Sequence, residues 1–215
     1  MSVTMLEIAL VSSATFFATI GPPDVAALFA ALTPNNTPAE RRAIALKGTL
    51  IALAILLAFA AFGDSLLALF GITLPALRTA GGVLLLLMAI DMVFARSSGA
   101  VTTTAEENRE ATAKEDISVF PLATPLIAGP GTMGATILLV ADAEGDWTHI
   151  AVVVACLTAM LLLTFVLLLL TGQVQRLLGV TGLHVVSRVA GVLLAALAVQ
   201  FIFDGVADSA LFRTS

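Results

Sequence analysis

The chain has 215 residues with a mean hydropathy of +1.06; 59% are hydrophobic and 12% are charged, where a soluble domain carries roughly 25% charge. One core of this size could not hide that much apolar surface from water, so the composition excludes an ordinary soluble domain and indicates a polytopic membrane protein. A net charge of −5 and a pI near 4.8 exclude a nucleic-acid partner, because no basic stripe is present to displace counterions from phosphates.

A spanning helix takes roughly 20 apolar residues. Apolar segments fall at about 6–32, 43–63, 73–94, 118–141, 148–171 and 183–205, which predicts six spans in a single membrane domain over 1–215. The stretch before the first segment lacks the basic flank of a cleaved signal peptide, so that segment is expected to remain as a helix. Gly21-Pro22-Pro23 interrupts it. Proline removes an intrahelical hydrogen bond and glycine tolerates unusual dihedrals, so the break frees backbone groups in mid-membrane. Asp24 follows the prolines, where a carboxylate can cap a restarting helix or attract an amino group, a cation or a proton. Thr15 and Thr19 precede the break, and local bonding to a carbonyl one turn back is their simplest role.

The third segment opens near Arg78, whose stem suits snorkelling to headgroups, with ion pairing the alternative; Arg188 stands likewise at the sixth. Asp91 closes the third segment and Asp204 the sixth, near the interfaces. Residues from about 95 to 117 are rich in Ser, Thr, Glu and Ala and read as a flexible linker between repeat 1 (about 1–94) and repeat 2 (about 118–215). Gly129-Pro130-Gly131 breaks the fourth segment, and Thr132 follows directly. Asp142, Glu144 and Asp146 beside Trp147 read as a solvated loop. Cys156 reads as a small buried hydrophobe, and Gln200, four residues before Asp204, requires a neighbouring helix or a solute as partner. His149 and His184 are isolated, so no metal site is expected, and no enzyme signature is present.

Arg41, Arg42, Lys47, Arg96, Arg109, Lys114 and Arg176 all follow odd-numbered segments, and only Arg213 falls in the opposite set. The positive-inside rule then puts both termini outside. The halves also match: Gly21-Pro22-Pro23 with Gly129-Pro130-Gly131 and Gly71-Ile72-Thr73 with Gly179-Val180-Thr181, both 108 residues apart, and Arg78–Gly82 with Arg188–Val192, 110 apart. Three spans per half, an odd number, make the repeats inverted, a plan common to secondary transporters.

The run Pro121-Leu122-Ala123-Thr124-Pro125-Leu126-Ile127-Ala128-Gly129-Pro130-Gly131-Thr132 closely resembles the central signature of the MarC family, which includes SnatA-type neutral amino acid transporters. Similar matches are Phe29-Ala30-Ala31-Leu32-Thr33 with Thr37–Arg42, Arg78–Gly82 with Asp91, and Arg188–Gly191 with Ala198–Gly205. The resemblance covers nearly the whole chain. It implies six spans in inverted repeats, an inner-membrane location and, for transporting members, ion-coupled movement of glycine, alanine or similar amino acids. The first break departs from the family pattern: Pro22 is kept, the polar residues expected at Gly21 and Val25 are absent, and a carboxylate stands at Asp24.

The resulting expectation is an all-α membrane protein of six spans, with spans 1 and 4 broken, acting as a carrier of small neutral amino acids or related metabolites. Gly21, Pro22, Asp24, Gly129, Pro130, Gly131, Thr132 and Gln200 are its candidate binding residues. Asp24, Asp91 and Asp204 are candidates for coupling to Na+ or H+; no cofactor is expected, and the partners are a small solute and the bilayer. A non-transporting stress-related or assembly factor on the same scaffold is the alternative. An ion channel is a third reading, for which the sequence offers no ring of pore residues.

Overall fold

Thr4 opens the first helix, α1 (Met5–Ile20), with a capping box: its hydroxyl accepts the Glu7 N–H, while the Glu7 carboxylate accepts the Thr4 N–H at 2.7 Å. The computed structural model describes residues 4–33, 36–94 and 117–209, apart from the side chains of 31, 64, 172–181, 183, 184, 186 and 187. After α1 come α2 (Pro22–Leu32), α3 (Pro38–Leu69), α4 (Leu74–Phe94), an irregular helical run α5 (Ser118–Ile127), α6 (Pro130–Ala141), α7 (Trp147–Leu169) and α8 (Thr171–Ala207). The described residues form helices joined by short turns, with no strand among them.

Thr37 and Asp146 cap α3 and α7 and stand 109 positions apart; Thr37 uses a second capping box, and the Asp146 carboxylate accepts the Thr148 N–H at 2.8 Å. Beyond α3 the chain turns at Gly71, whose φ of +66° suits a residue without a Cβ. Five helices are long and apolar enough to cross a membrane: Met5–Ala30, which runs through the first break, Pro38–Gly63, Leu74–Phe94, Trp147–Leu169 and Arg188–Ala207. The pair Ser118–Ile127 and Pro130–Ala141, bent by 55°, makes the sixth. In the apolar 18-residue stretch of each of these five at most 44% is buried, and Phe62, Leu162, Val192 and Leu193 point outward, which matches a lipid surround.

Two sequence expectations are corrected. The loop expected between the fifth and sixth spans, bearing Arg176, is helical, because α8 begins at Thr171. Gly179-Val180-Thr181 therefore lies inside a helix, whereas Gly71-Ile72-Thr73 forms a turn, so that match carries no structural equivalence. The fourth span is also interrupted earlier than Gly129. Phe120 and Thr124 are extended, since each precedes a proline whose ring disfavours the α conformation before it. The Phe120–Pro121 and Thr124–Pro125 bonds are cis, and the Ile117 and Ala123 carbonyls accept from Leu122 and Ala128, five residues on, at 3.2 and 2.8 Å. The linker read at about 95–117 lies outside the described residues except for Ile117, which is buried; Arg213 also lies outside them.

The closest helix pair is α4 with α8, packed through glycines. A Cβ on Gly82 would stand 2.7 Å from the Ala198 carbonyl oxygen, and one on Gly191 would stand 3.1 Å from that of Ala89. Gly82 and Gly191 are 109 positions apart, as are Ala89 and Ala198, so exchanging the halves turns one contact into the other. Other contacts follow the same exchange: α1 lies on α7 and α5 on α3, while α2 packs on α7 and α8 and α6 on α3 and α4. One buried cluster, including Phe16, Phe29, Leu56, Leu122 and Leu157, fills the space among α1, α2, α3, α5 and α7. A second runs along α4 and α8 through Leu85, Met88, Leu194 and Ala198 and takes in Ala18 and Leu138.

Candidate functional site

At the first break α1 ends on Gly21, whose φ of +59° is left-handed and whose N–H donates to the Phe17 carbonyl at 3.0 Å. The Gly21 carbonyl at once accepts the Asp24 and Val25 N–H groups at 2.9 and 3.0 Å, so α2 restarts within one residue. Pro22 and Pro23 have no N–H to offer the carbonyls of Ala18 and Thr19, which leaves carbonyl dipoles at the end of α1. Asp24, half-buried in the first turn of α2, carries its carboxylate back beside Gly21, with Oδ2 3.4 Å from where a Gly21 Cβ would be. A carboxylate there sits at the positive end of α2. Gly21, Pro22 and Pro23 are buried around it.

The second break has the opposite polarity. Gly129 is extended (φ −81°, ψ 169°) and has no side chain to cap the first N–H groups of α6. A Cβ on Gly129 would stand 2.6 Å from the Pro125 carbonyl oxygen, so only glycine fits. Pro130 is exposed, while Gly131 is buried against Met88, whose side chain would have to shift to admit a methyl group. Thr132 is fully buried, and its Oγ1 has no hydrogen-bond partner; its carbonyl is taken by the Thr136 hydroxyl at 2.7 Å. On α1, Ser12 and Thr15 are buried with unpartnered hydroxyls, whereas Thr19 bonds back to the Thr15 carbonyl at 2.9 Å.

The structure packs the second break on α4, where Gly131 meets Met88 and Leu85, and the first break on α8, against which both α1 and α2 lie; Ala18, just before the first, belongs to the same buried cluster along α4 and α8. Gln200 is not part of this assembly. It is exposed and donates to Asp204 Oδ1 at 2.8 Å, one turn along its own helix. Asp91 and Asp204 are far apart, because the antiparallel α4–α8 contact sets Met92 against Gly191 at one end and Gly205 against Pro75 and Thr79 at the other. The three candidate coupling carboxylates are therefore not assembled at one place. Among the described residues no three His, Cys, Asp or Glu side chains gather at metal-binding range.

Two arginines make contacts whose partners the sequence does not name, and Arg78 takes the alternative expected for it, ion pairing. Arg78 is paired instead of reaching for headgroups: its Nε donates to Asp142 Oδ1 at 3.0 Å, Nη2 bonds to the same oxygen, and Nη1 bonds to Asp208. Asp142 is accordingly half-buried in an ion pair and is not a freely solvated loop residue. Arg41 donates from Nε and Nη2 to the Thr33 carbonyl and closes the end of α2. The six-span reading held a partial signal, since the ends that follow the second and fourth spans share one face and so bring Arg78 and Asp142 to it. Cys156, half-buried, directs Sγ at the Ala9 carbonyl 3.7 Å away, a helix-packing contact.

Residues 6–210 match the sequence profile of the MarC family integral membrane protein. The chain is 35% identical to the UPF0056 membrane protein MJ1677 of Methanocaldococcus jannaschii over 206 residues, which cover 96% of this chain and 99% of the other. It is 36% identical to the UPF0056 membrane protein YvbG of Bacillus subtilis over 191 residues, covering 89% and 90%. With the UPF0056 membrane protein YhcE of Escherichia coli it shares 32% identity over 196 residues, covering 88% and 87%. No solved structure matches. A profile that spans the two breaks and all six candidate spans, with relatives aligned nearly end to end, makes the chain a member of the MarC family of integral membrane proteins.

Proposed function

We propose that this protein is an ion-coupled secondary carrier of small neutral amino acids of the glycine–alanine class, or of closely related metabolites. The observation that carries the reading is the fully buried, unpartnered Thr132 hydroxyl at the uncapped start of α6. Leaving a buried hydroxyl unpaired costs about 1–3 kcal/mol by protein mutational measures, and the cost is recovered when a ligand supplies the missing partner. The first N–H groups of α6 and this hydroxyl suit a carboxylate, while the proline-freed carbonyls and Asp24 at the first break suit an ammonium group or a cation. Gly21, Pro22, Gly129, Pro130 and Gly131 shape the two breaks. In this reading Gln200, Asp91 and Asp204 act away from the solute, and Na+ or H+ couples near Asp24.

The exchange of glycine contacts at an offset of 109 supports two inverted halves that rock about the α4–α8 pair and expose the breaks to each side in turn. The distribution of arginine and lysine supports a place in the plasma membrane, the inner membrane of a bacterium, with both termini outside. In this reading the protein does no covalent chemistry and needs no cofactor.

Counterflow tests it. Proteoliposomes loaded with one unlabelled neutral amino acid at a time should accumulate external labelled tracer, and folded Gly129→Leu protein should not. Normal exchange by folded Gly129→Leu protein removes the breaks from the mechanism. Absence of exchange by the folded natural protein across the neutral amino acids favours a non-transporting role on the same scaffold.

A further inference from the structure

The ion pairs of Arg78 join the two halves of the chain at one face and nowhere near the breaks. Arg78 lies in the second turn of α4, in the first half. Its two partners belong to the second half and terminate two different helices: Asp142 is the C-cap of α6 and Asp208 the C-cap of α8. The guanidinium thus sits among two carboxylates and two helix C-termini, where a cation is favoured by charge and by helix dipole together. Ten residues of α6 separate Asp142 from Thr132, a helical rise of about 15 Å, or about half the hydrocarbon thickness. The cluster therefore stands at the mouth of any path that descends along α6 to the second break.

The two arms of the cluster are not equivalent. Beside the Asp208 arm, Gly205 is pressed on α4: a Cβ there would stand 2.7 Å from the Pro75 carbonyl oxygen and 2.7 Å from the Thr79 nitrogen. Backbone in contact with backbone makes that end of α4 and α8 one rigid unit. At the end of α6 the nearest glycine contact to α4 is side chain on backbone, with Leu138 Cδ1 2.7 Å from a Gly81 Cβ, and such a contact slides more readily. The opposite face is built differently: Arg41 there ties α2 through the Thr33 carbonyl, and both residues belong to the first half.

We infer that Arg78 and Asp142 form an ionic gate that closes the Asp142 face of the protein by holding the end of α6 against α4, with Asp208 keeping the Arg78 side chain aimed. The gate's purpose rests on the carrier reading above, but its opening can be measured whether or not any solute moves. Arg78 releases α6 when the fork loses Asp142, and the path to Thr132 then admits water from that face.

The test uses a reporter cysteine at Ala135, 1% exposed and lying on α6 between Thr132 and Asp142, in a Cys156→Ser background. A membrane-impermeant maleimide is applied to the Asp142 side of reconstituted protein. Ala135→Cys should react slowly with the gate intact and about tenfold faster with Arg78→Gln or Asp142→Asn. Asp208→Asn, which removes the aiming arm only, should give a smaller rise, and Arg78→Lys should fall between Arg78→Gln and the intact gate. A second reporter at Ala123, fully buried on α5, should be unaffected throughout. Unchanged labelling of Ala135→Cys in both Arg78→Gln and Asp142→Asn overturns the gate, as does an equal rise at Ala123, which would mean general loosening. Should Arg78→Gln fail to fold, Asp142→Asn decides alone.

Discussion

Replacing Gly82 by alanine tests the packing on which the whole arrangement depends. The added methyl would stand 2.7 Å from the Ala198 carbonyl oxygen, 2.7 Å from Ile202 Cγ1 and 3.0 Å from the Ile202 nitrogen. Ordinary contact begins near 3.4 Å, so α4 and α8 must part by about 0.7 Å at that level. Two of the three obstructing atoms are backbone and cannot rotate away. Overpacking of this kind costs about 1–3 kcal/mol, and alanine returns about 0.8–1 kcal/mol of helix propensity. A net loss of up to about 2 kcal/mol follows from these opposing terms. The neighbour Gly81 provides the contrast, because its methyl would meet only the Leu138 side-chain tip, which can turn aside, and Gly81→Ala should be near neutral. Gly134 has nothing within 4 Å, so Gly134→Ala should gain up to about 1 kcal/mol. Equilibrium unfolding in detergent micelles, followed by far-UV circular dichroism, ranks the three variants. A Gly82→Ala protein as stable as Gly81→Ala would refute the close α4–α8 approach.

Two further outcomes are expected. Thr132→Val removes a buried hydroxyl that has no partner, so it should stabilise the protein by about 1–2 kcal/mol while counterflow falls about tenfold, and Thr132→Ser should keep exchange; a destabilised Thr132→Val protein would mean that the hydroxyl is already satisfied. The Asp146 carboxyl is held below its ordinary value of 3.8 chiefly by the Thr148 N–H at the start of α7, so its capping contribution is full above that value and fades as pH falls through the lower folded one. The difference in thermal midpoint between the natural protein and Asp146→Ala should therefore shrink on acidification below pH 3.8, and a difference independent of pH would remove the charge from the cap.

The spans were legible because bilayer thickness writes itself into sequence as uninterrupted apolar length; the third, read at 73–94, is Leu74–Phe94. The first break was legible through Gly21-Pro22-Pro23 for the same local reason, a missing N–H. The wider interruption of the fourth span was also present in the sequence: Phe120 and Thr124 each precede a proline, and that position is biased away from the helix. The start of α8 was hidden because 171–187 lacks the uninterrupted apolar length that marks a span. What Arg78 pairs with could not be read at all. Its partners lie 64 and 130 positions away, and only the packing of α4 against α6 and α8 brings them within reach. The register of the repeat is a middle case, since Arg78–Gly82 aligned with Arg188–Val192 gives an offset of 110, whereas the glycine contacts exchange at 109. A one-residue error is small along a sequence but turns a helix by about 100°, enough to put the wrong residue against the partner helix.

The two breaks hold matching places and unlike chemistry, and the difference bears directly on what such a pocket would take. Asp24 and Thr132 stand 108 positions apart, each the third residue after its break glycine. A pair of bare helix N-termini would favour an anion at both breaks. Asp24 cancels that preference at the first, placing a carboxylate over the positive end of α2 beside carbonyls that the two prolines leave without intrahelical donors. At the second break nothing cancels it: Gly129 offers no cap, Pro130 and Gly131 bring no charge, and the Thr132 hydroxyl adds a donor. One break thus offers acceptors and the other donors, the first packed on α8 and the second on α4 at Leu85 and Met88. Under the carrier reading this is the complement of a small zwitterion, and it disfavours a plain anion, which would meet Asp24, as well as a plain cation, which would leave the donors of α6 unpaired.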